Sequence, residues 1–188
     1  MKQEAEKKKQ GFFSAKKIAV MAIFTALSFW ISLFDFPLFP AAPFLKLDFG
    51  NVFIMLIGFL FGPIEGIIVC VMKELIHIPF GTTGGVGELA NILMTTAYLL
   101  LPAFIYRFKK GFKVVAFSLI LGVIFMVAAG LLVNRYINFP LFYGESAATS
   151  FSSLWIFILF FNLIKGVAIS LLTCLLYKTV SRLYTKFN

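Results

Sequence analysis

Residues 45–78 read LKLDFGNVFIMLIGFLFGPIEGIIVCVMKELIHI. Two short apolar runs are joined by a Gly-Pro-Ile-Glu-Gly turn at residues 62–66, and ionisable residues stand at both outer ends. Each run holds about 13–15 residues, roughly 20 Å of helix at 1.5 Å per residue. A hydrocarbon core is about 30 Å thick. Helices this short cross a bilayer only with tilt, local thinning or a protein-lined vestibule. A vestibule beside an outer loop is a binding cavity, and the stretch predicts a site where short helices meet that loop.

Composition agrees that the solvent is lipid. Of the 188 residues 61% are hydrophobic and 13% charged, and the mean hydropathy is +0.97. Soluble domains are nearer half apolar and about a quarter charged. The net charge of +9 is not a nucleic-acid signature, because most basic residues form three blocks that flank apolar runs. These are Lys2, Lys7, Lys8, Lys9, Lys16 and Lys17; then Arg107, Lys109, Lys110 and Lys113; then Lys178, Arg182 and Lys186. Such placement marks the cytoplasmic side.

The remaining runs complete an all-α, six-helix membrane protein with both termini cytoplasmic. The predicted helices are Ile18–Phe34, Phe49–Phe61, Ile64–Ile78, Glu88–Tyr106, Val114–Val133 and Ser153–Tyr177. Residues 1–17 form a polar, interfacial segment, 18–178 the membrane domain and 179–188 a cytoplasmic tail. A signal peptide is the rival reading of the start, but the first run is long for one and Ala41-Ala42-Pro43 is a poor cleavage site. Residues 35–48 hold three prolines and cannot continue a helix. Their apolar residues Phe39, Phe44, Leu45 and Leu47 need something to pack on, either helix ends or a ligand. Residues 135–152 are predicted to be a second long outer loop.

Polar residues inside apolar runs are costly, so each is a candidate for function. Lys165 lies deep in the last helix with Asn162 one turn outward. Asn91 and Asn134 lie toward the same outer side. Amides offer donors and an acceptor, and a lysine offers donors. Together they suit either the edge of a small heteroaromatic ligand or mutual helix–helix hydrogen bonding. Lys73, Glu74 and His77 form a second cluster, read as pairing at the membrane edge or as a proton relay. One His without companions is no metal site, and Cys70 and Cys174 are too isolated for redox or zinc chemistry. The run Gly85-Val86-Gly87-Glu88-Leu89-Ala90 lacks the strand–turn–helix setting of a dinucleotide site. With no Walker A sequence and no nucleophile–base set, the chain is not expected to be an enzyme or to carry a cofactor. Ala15, Ala19, Ala22 and Ala26 make a small-residue stripe, suited to internal packing or to another membrane subunit.

The short helices, the alanine stripe and D-F-G-N followed by G-F-L-F-G-P-I-E-G resemble the S-components of energy-coupling factor (ECF) transporters. The likeness covers about residues 15–180. The proline-rich loop ending F-L-K-L-D-F, with N-L-I-K in the last helix, is similar to the riboflavin-specific members rather than the thiamine or biotin ones. The resemblance implies a multi-pass subunit of the bacterial plasma membrane that binds riboflavin as transported ligand. It implies docking on a transmembrane coupling subunit served by two ATP-binding-cassette ATPases, through an A-x-x-x-A motif matched by Ala22 and Ala26. It also implies an outer ligand site, which by residue type and depth maps onto Phe44, Lys46, Asn91, Asn134, Asn162 and Lys165. A stand-alone proton-coupled vitamin carrier, or an S-component for another vitamin, is the alternative.

Overall fold

The computed structural model describes residues 14–186, with side chains to residue 182. Most of the predicted 1–17 segment and the end of the 179–188 tail lie outside the described residues. The chain is all-α apart from one two-residue strand pairing. Its helices are α1 (Ala15–Ser32), α2 (Asn51–Leu60), α3 (Pro63–His77), α4 (Val86–Phe108), α5 (Phe112–Val133), the short α6 (Phe139–Tyr143) and α7 (Ala147–Lys186). Three stretches are long and apolar enough to cross a membrane: α1, α4, and residues 112–182, which hold both α5 and most of α7.

The short α2 is the centre of the bundle. It packs against α1, α3, α4 and α7, and Val52, Ile54, Met55, Leu56, Ile57 and Phe59 are all buried. A helix that is apolar all round belongs inside. The motifs at its two ends explain themselves by contact. Asp48 accepts a hydrogen bond from the Gly50 N–H at 3.0 Å, making the turn that opens α2. The Ser28 hydroxyl of α1 donates to the Gly50 carbonyl at 2.9 Å, and a Cβ on Gly50 would collide with the Ser28 backbone. Asn51 then donates to the Thr95 hydroxyl of α4 at 2.8 Å. At the other end Gly62 adopts φ 128°, which favours glycine, and Pro63 begins α3 where no N–H is needed. Glu65 in this turn is buried and ion-paired with Lys17 of α1.

The predicted outer loop at 135–152 is corrected to helix. Residues Asn134–Asn138 form a π turn that continues directly into α6, and α7 begins at Ala147 rather than Ser153. Pro140 is the second residue of α6, directly after the π turn. The chain reverses only at Gly144, with φ 51°. The proline-rich 35–48 segment forms a small hairpin, Phe36–Pro37 paired antiparallel with Lys46–Leu47. Its buried Ala42, Leu45 and Leu47 cluster with Phe139 of α6 and Ile158 and Phe161 of α7. Phe44 meets Phe139 edge-on at 5.9 Å, and Phe39 meets Phe157 at 5.5 Å. The apolar residues of this segment thus pack on helix ends, one of the two expected outcomes.

The bundle has two unlike ends. The C-terminal end of α3 and the N-terminal end of α4 lie beside the hairpin. The Lys17–Glu65 pair, the basic α4–α5 connection, and Tyr106 hydrogen-bonded to Tyr177 lie at the opposite end.

Candidate functional site

Above the N-terminal end of α2 the helices leave a cavity. It holds about 120 Å³ of space accessible to water. Its walls come from the hairpin, the end of α3, the 81–87 connection, the start of α4, the π turn, α6 and α7. All six residues predicted to hold a ligand line it: Phe44, Lys46, Asn91, Asn134, Asn162 and Lys165. So do Lys73, Glu74 and His77, which the sequence placed in a separate cluster. That separation is corrected: α3 and α7 point their charges into one space.

The floor is a buried charge network. Lys165, 4% exposed, donates to Asp48 Oδ2 at 2.8 Å and to Asn91 Oδ1 at 3.3 Å. Lys73, 2% exposed, donates to Glu74 Oε1 at 2.8 Å and stands 3.9 Å from Asp48 Oδ1. The Asn91 amide donates to Glu74. Two ammonium groups and two carboxylates therefore balance, which is how buried charge is tolerated. Burial by itself would raise the Asp48 carboxyl. The Lys165 and Lys73 charges, with the Gly50 N–H, outweigh it and hold the group below the usual carboxylate range.

The upper walls carry paired ionisable groups as well. Lys46 pairs with Asp35 at 3.2 Å within the hairpin. Thr83 donates to Glu88 Oε2 at 2.8 Å, and His77 Nδ1 lies 3.0 Å from Glu88 Oε1, tying the 81–87 connection to both helices. Phe44, Phe142, Phe161 and Met94 supply apolar surface. Asn162 donates to the Ile158 carbonyl at 2.8 Å, and its Oδ1 is buried without a hydrogen-bond partner among the described residues. A Cβ on Gly130 would strike the Asn162 amide, so the glycine lets α5 approach α7 at this point. Arg135 turns away, donating to the Ala148 carbonyl and lying over the Phe151 ring.

Sequence reasoning missed three members. Asp48 stands in the D-F-G-N motif and meets Lys165 from 117 residues away. Its signal was a lone carboxylate just before an apolar helix. Asn138 was hidden in the supposed loop. Glu74, with Lys73 and His77, was recognised as a cluster but not as part of this cavity. On α1 the alanine stripe does not serve internal packing, one of the two readings: Ala15, Ala19, Ala22 and Ala26 are all exposed, while Met21, Thr25, Ser28 and Ser32 face inward.

A lipid-facing helical bundle with a polar cavity at one end, floored by a balanced charge network, is the build of a membrane substrate-binding protein. The chain belongs to the family of ECF transporter substrate-specific components, whose pattern it matches over residues 16–177. It is similar to the riboflavin transporter RibU of Staphylococcus aureus, with 32% identity over 172 residues, 88% of this chain and 90% of that protein. It is equally similar to the riboflavin transporter FmnP of Bacillus subtilis, 32% identical over 172 residues, 86% of this chain and 90% of that one. A solved S component of a bacterial ECF transporter superposes with a TM-score of 0.77 at 31% identity. That likeness covers 90% of this chain and 97% of the other.

Proposed function

We propose that this chain is the riboflavin-binding subunit of an ECF-type vitamin transporter in the bacterial plasma membrane. The observation that carries the reading is the cavity: aromatic and apolar walls around a few fixed amide and ammonium groups. Small-molecule sites are built this way. A flavin ring presents alternating carbonyls and an imide N–H on one edge and apolar surface elsewhere. Lys165 supplies donors and the unpartnered Asn162 Oδ1 an acceptor for that edge. Phe44, Lys46, Asn91 and Asn134 complete the walls.

Charge selects against a phosphorylated ligand. The lining holds four carboxylates, Asp35, Asp48, Glu74 and Glu88, against three lysines. Each lysine already meets one of these carboxylates. We read the protein as six spanning helices, residues 18–178, with the basic end cytoplasmic and the cavity outward. Fluorescence titration on right-side-out vesicles tests site and sidedness together. External riboflavin should be quenched saturably without permeabilising the vesicles, and FMN should bind more weakly. No quenching until the vesicles are opened would reverse the orientation, and none at all would end the flavin reading.

ATP hydrolysis is assigned to two partner ATPases, reached through a transmembrane coupling subunit. The exposed alanine face of α1 supports docking there, because small side chains let helices approach closely. Ala22→Leu or Ala26→Leu should weaken co-purification with the coupling subunit and leave the riboflavin dissociation constant within about twofold, less than 0.5 kcal/mol. Lost vitamin binding in either variant would reassign the face to support of the site.

A further inference from the structure

The cavity opens into a second hollow, and only some residues line both. Phe44, Lys46, Thr82, Thr83, Asn138 and Phe142 are shared, whereas Asn162 and Lys165 belong to the inner space alone. Asn138 therefore stands at the junction of the inner cavity and its mouth.

Its amide is held in one orientation. Asn134 Nδ2 donates to the Gly130 carbonyl at 2.7 Å, and Asn138 Nδ2 donates to Asn134 Oδ1 at 3.1 Å. This ladder climbs the end of α5 and the π turn. One N–H of each amide is turned back toward the helix, and the last acceptor, Asn138 Oδ1, has no hydrogen-bond partner among the described residues. Asn138 is 6% exposed, so water does little to satisfy it. An unpaired buried acceptor is costly, and such groups in a site call for a ligand donor. π turns inside helices recur at functional positions.

We infer that Asn138 accepts a hydrogen bond from a ribityl hydroxyl of the bound flavin, and so reads the sugar-alcohol chain rather than the ring. The inference rests on the flavin reading above. A flavin has a single imide N–H, and the unpartnered Asn162 Oδ1, on the same helix one turn from Lys165, is the acceptor for it. The remaining donors of riboflavin are the hydroxyls of the ribityl chain, which belong toward water and hence toward the mouth. Asn138 is uncharged, so it selects a hydroxyl by position without attracting phosphate.

The test compares riboflavin with lumiflavin, which carries the same ring and a methyl group in place of the ribityl chain. In purified protein, Asn138→Ala should weaken riboflavin about tenfold, the loss of roughly one hydrogen bond. Lumiflavin should lose clearly less than riboflavin, since Asn134 keeps its own bond to the Gly130 carbonyl. An equal loss for both ligands would mean that Asn138 only props Asn134, and no loss for either would mean that it touches nothing; both results overturn the inference. A second arm needs no variant. Riboflavin analogues lacking one ribityl hydroxyl each are titrated against the wild type, and one of them should lose about tenfold. Uniform affinity across that set overturns the inference even if the variant does not fold. If the wild type binds neither riboflavin nor lumiflavin, the parent reading fails as well, a result distinct from all of these.

Discussion

Asp48→Asn should be among the most damaging single substitutions in this protein. The Asp48 carboxylate lies between two buried ammonium groups, 2.8 Å from Lys165 and 3.9 Å from Lys73. Asparagine keeps the size and the turn-forming oxygen but removes the charge, leaving two cations to share Glu74. Removing one partner of a buried pair typically costs about 3–5 kcal/mol, because the other charge stays behind without compensation. The melting temperature in detergent should fall clearly, and riboflavin affinity should fall at least tenfold as Lys165 loses its anchor, equal to about 1.4 kcal/mol or more. Unchanged melting and binding would show that the network is hydrated and weak. The pH dependence has a definite sign. The folded-state carboxyl lies below its ordinary range, so its contribution is complete above about pH 4 and is lost only as the pH falls below that. Between pH 7 and pH 5 the melting temperature should not move on account of this group.

The second large effect separates binding from stability. Lys165→Met keeps length and apolar volume but removes the donors. Losing a hydrogen bond from a charged donor costs roughly 1.5–3 kcal/mol, about ten- to a hundredfold in the riboflavin dissociation constant. The single variant also leaves Asp48 with only Lys73 and the Gly50 N–H, so it should melt early. Combining Lys165→Met with Asp48→Asn removes both charges at once. The floor then holds Lys73 with Glu74, a balanced pair at 2.8 Å. The double variant should recover most of the melting temperature lost by either single change while still binding riboflavin poorly. Such non-additivity is expected of directly contacting partners. Riboflavin affinity near wild type in the double variant would make Lys165 a structural residue and shift the ligand toward the hairpin and Asn138.

Four of the six predicted site residues were legible for one physical reason. A polar group in an apolar run must find a partner, a cavity or water, and Asn91, Asn134, Asn162 and Lys165 stood out against their surroundings on that ground. Phe44 and Lys46 were added through the resemblance. The structure brings all six to one cavity. Residues 135–152 were not legible. Pro140 and Gly144 looked like loop signals, yet Pro140 follows directly on the π turn within a continuing helix, and Gly144 breaks the chain at a single point. Packing of Phe139 against Phe44 and Phe151 rewards the helical path that local propensity did not favour.

By itself the sequence determined the solvent, the helical class, the basic end and the short central helices. Each of these follows from composition and spacing along a single segment: runs of apolar residues, blocks of charge, and the length a helix needs to cross lipid. Only the tertiary structure decided which charges meet. Asp48 and Lys165 are 117 residues apart, and nothing local distinguishes that pairing from Lys165 with Glu74 or Glu88. The same holds for the merging of the α3 cluster with the α7 pair, and for the unpartnered acceptors of Asn138 and Asn162. A pairing between distant residues is set by how helices pack, and that packing depends on small contacts such as Gly50 against Ser28 and Gly130 against Asn162. Those contacts involve residues with no side chain to announce them, so they become visible only when the helices are side by side.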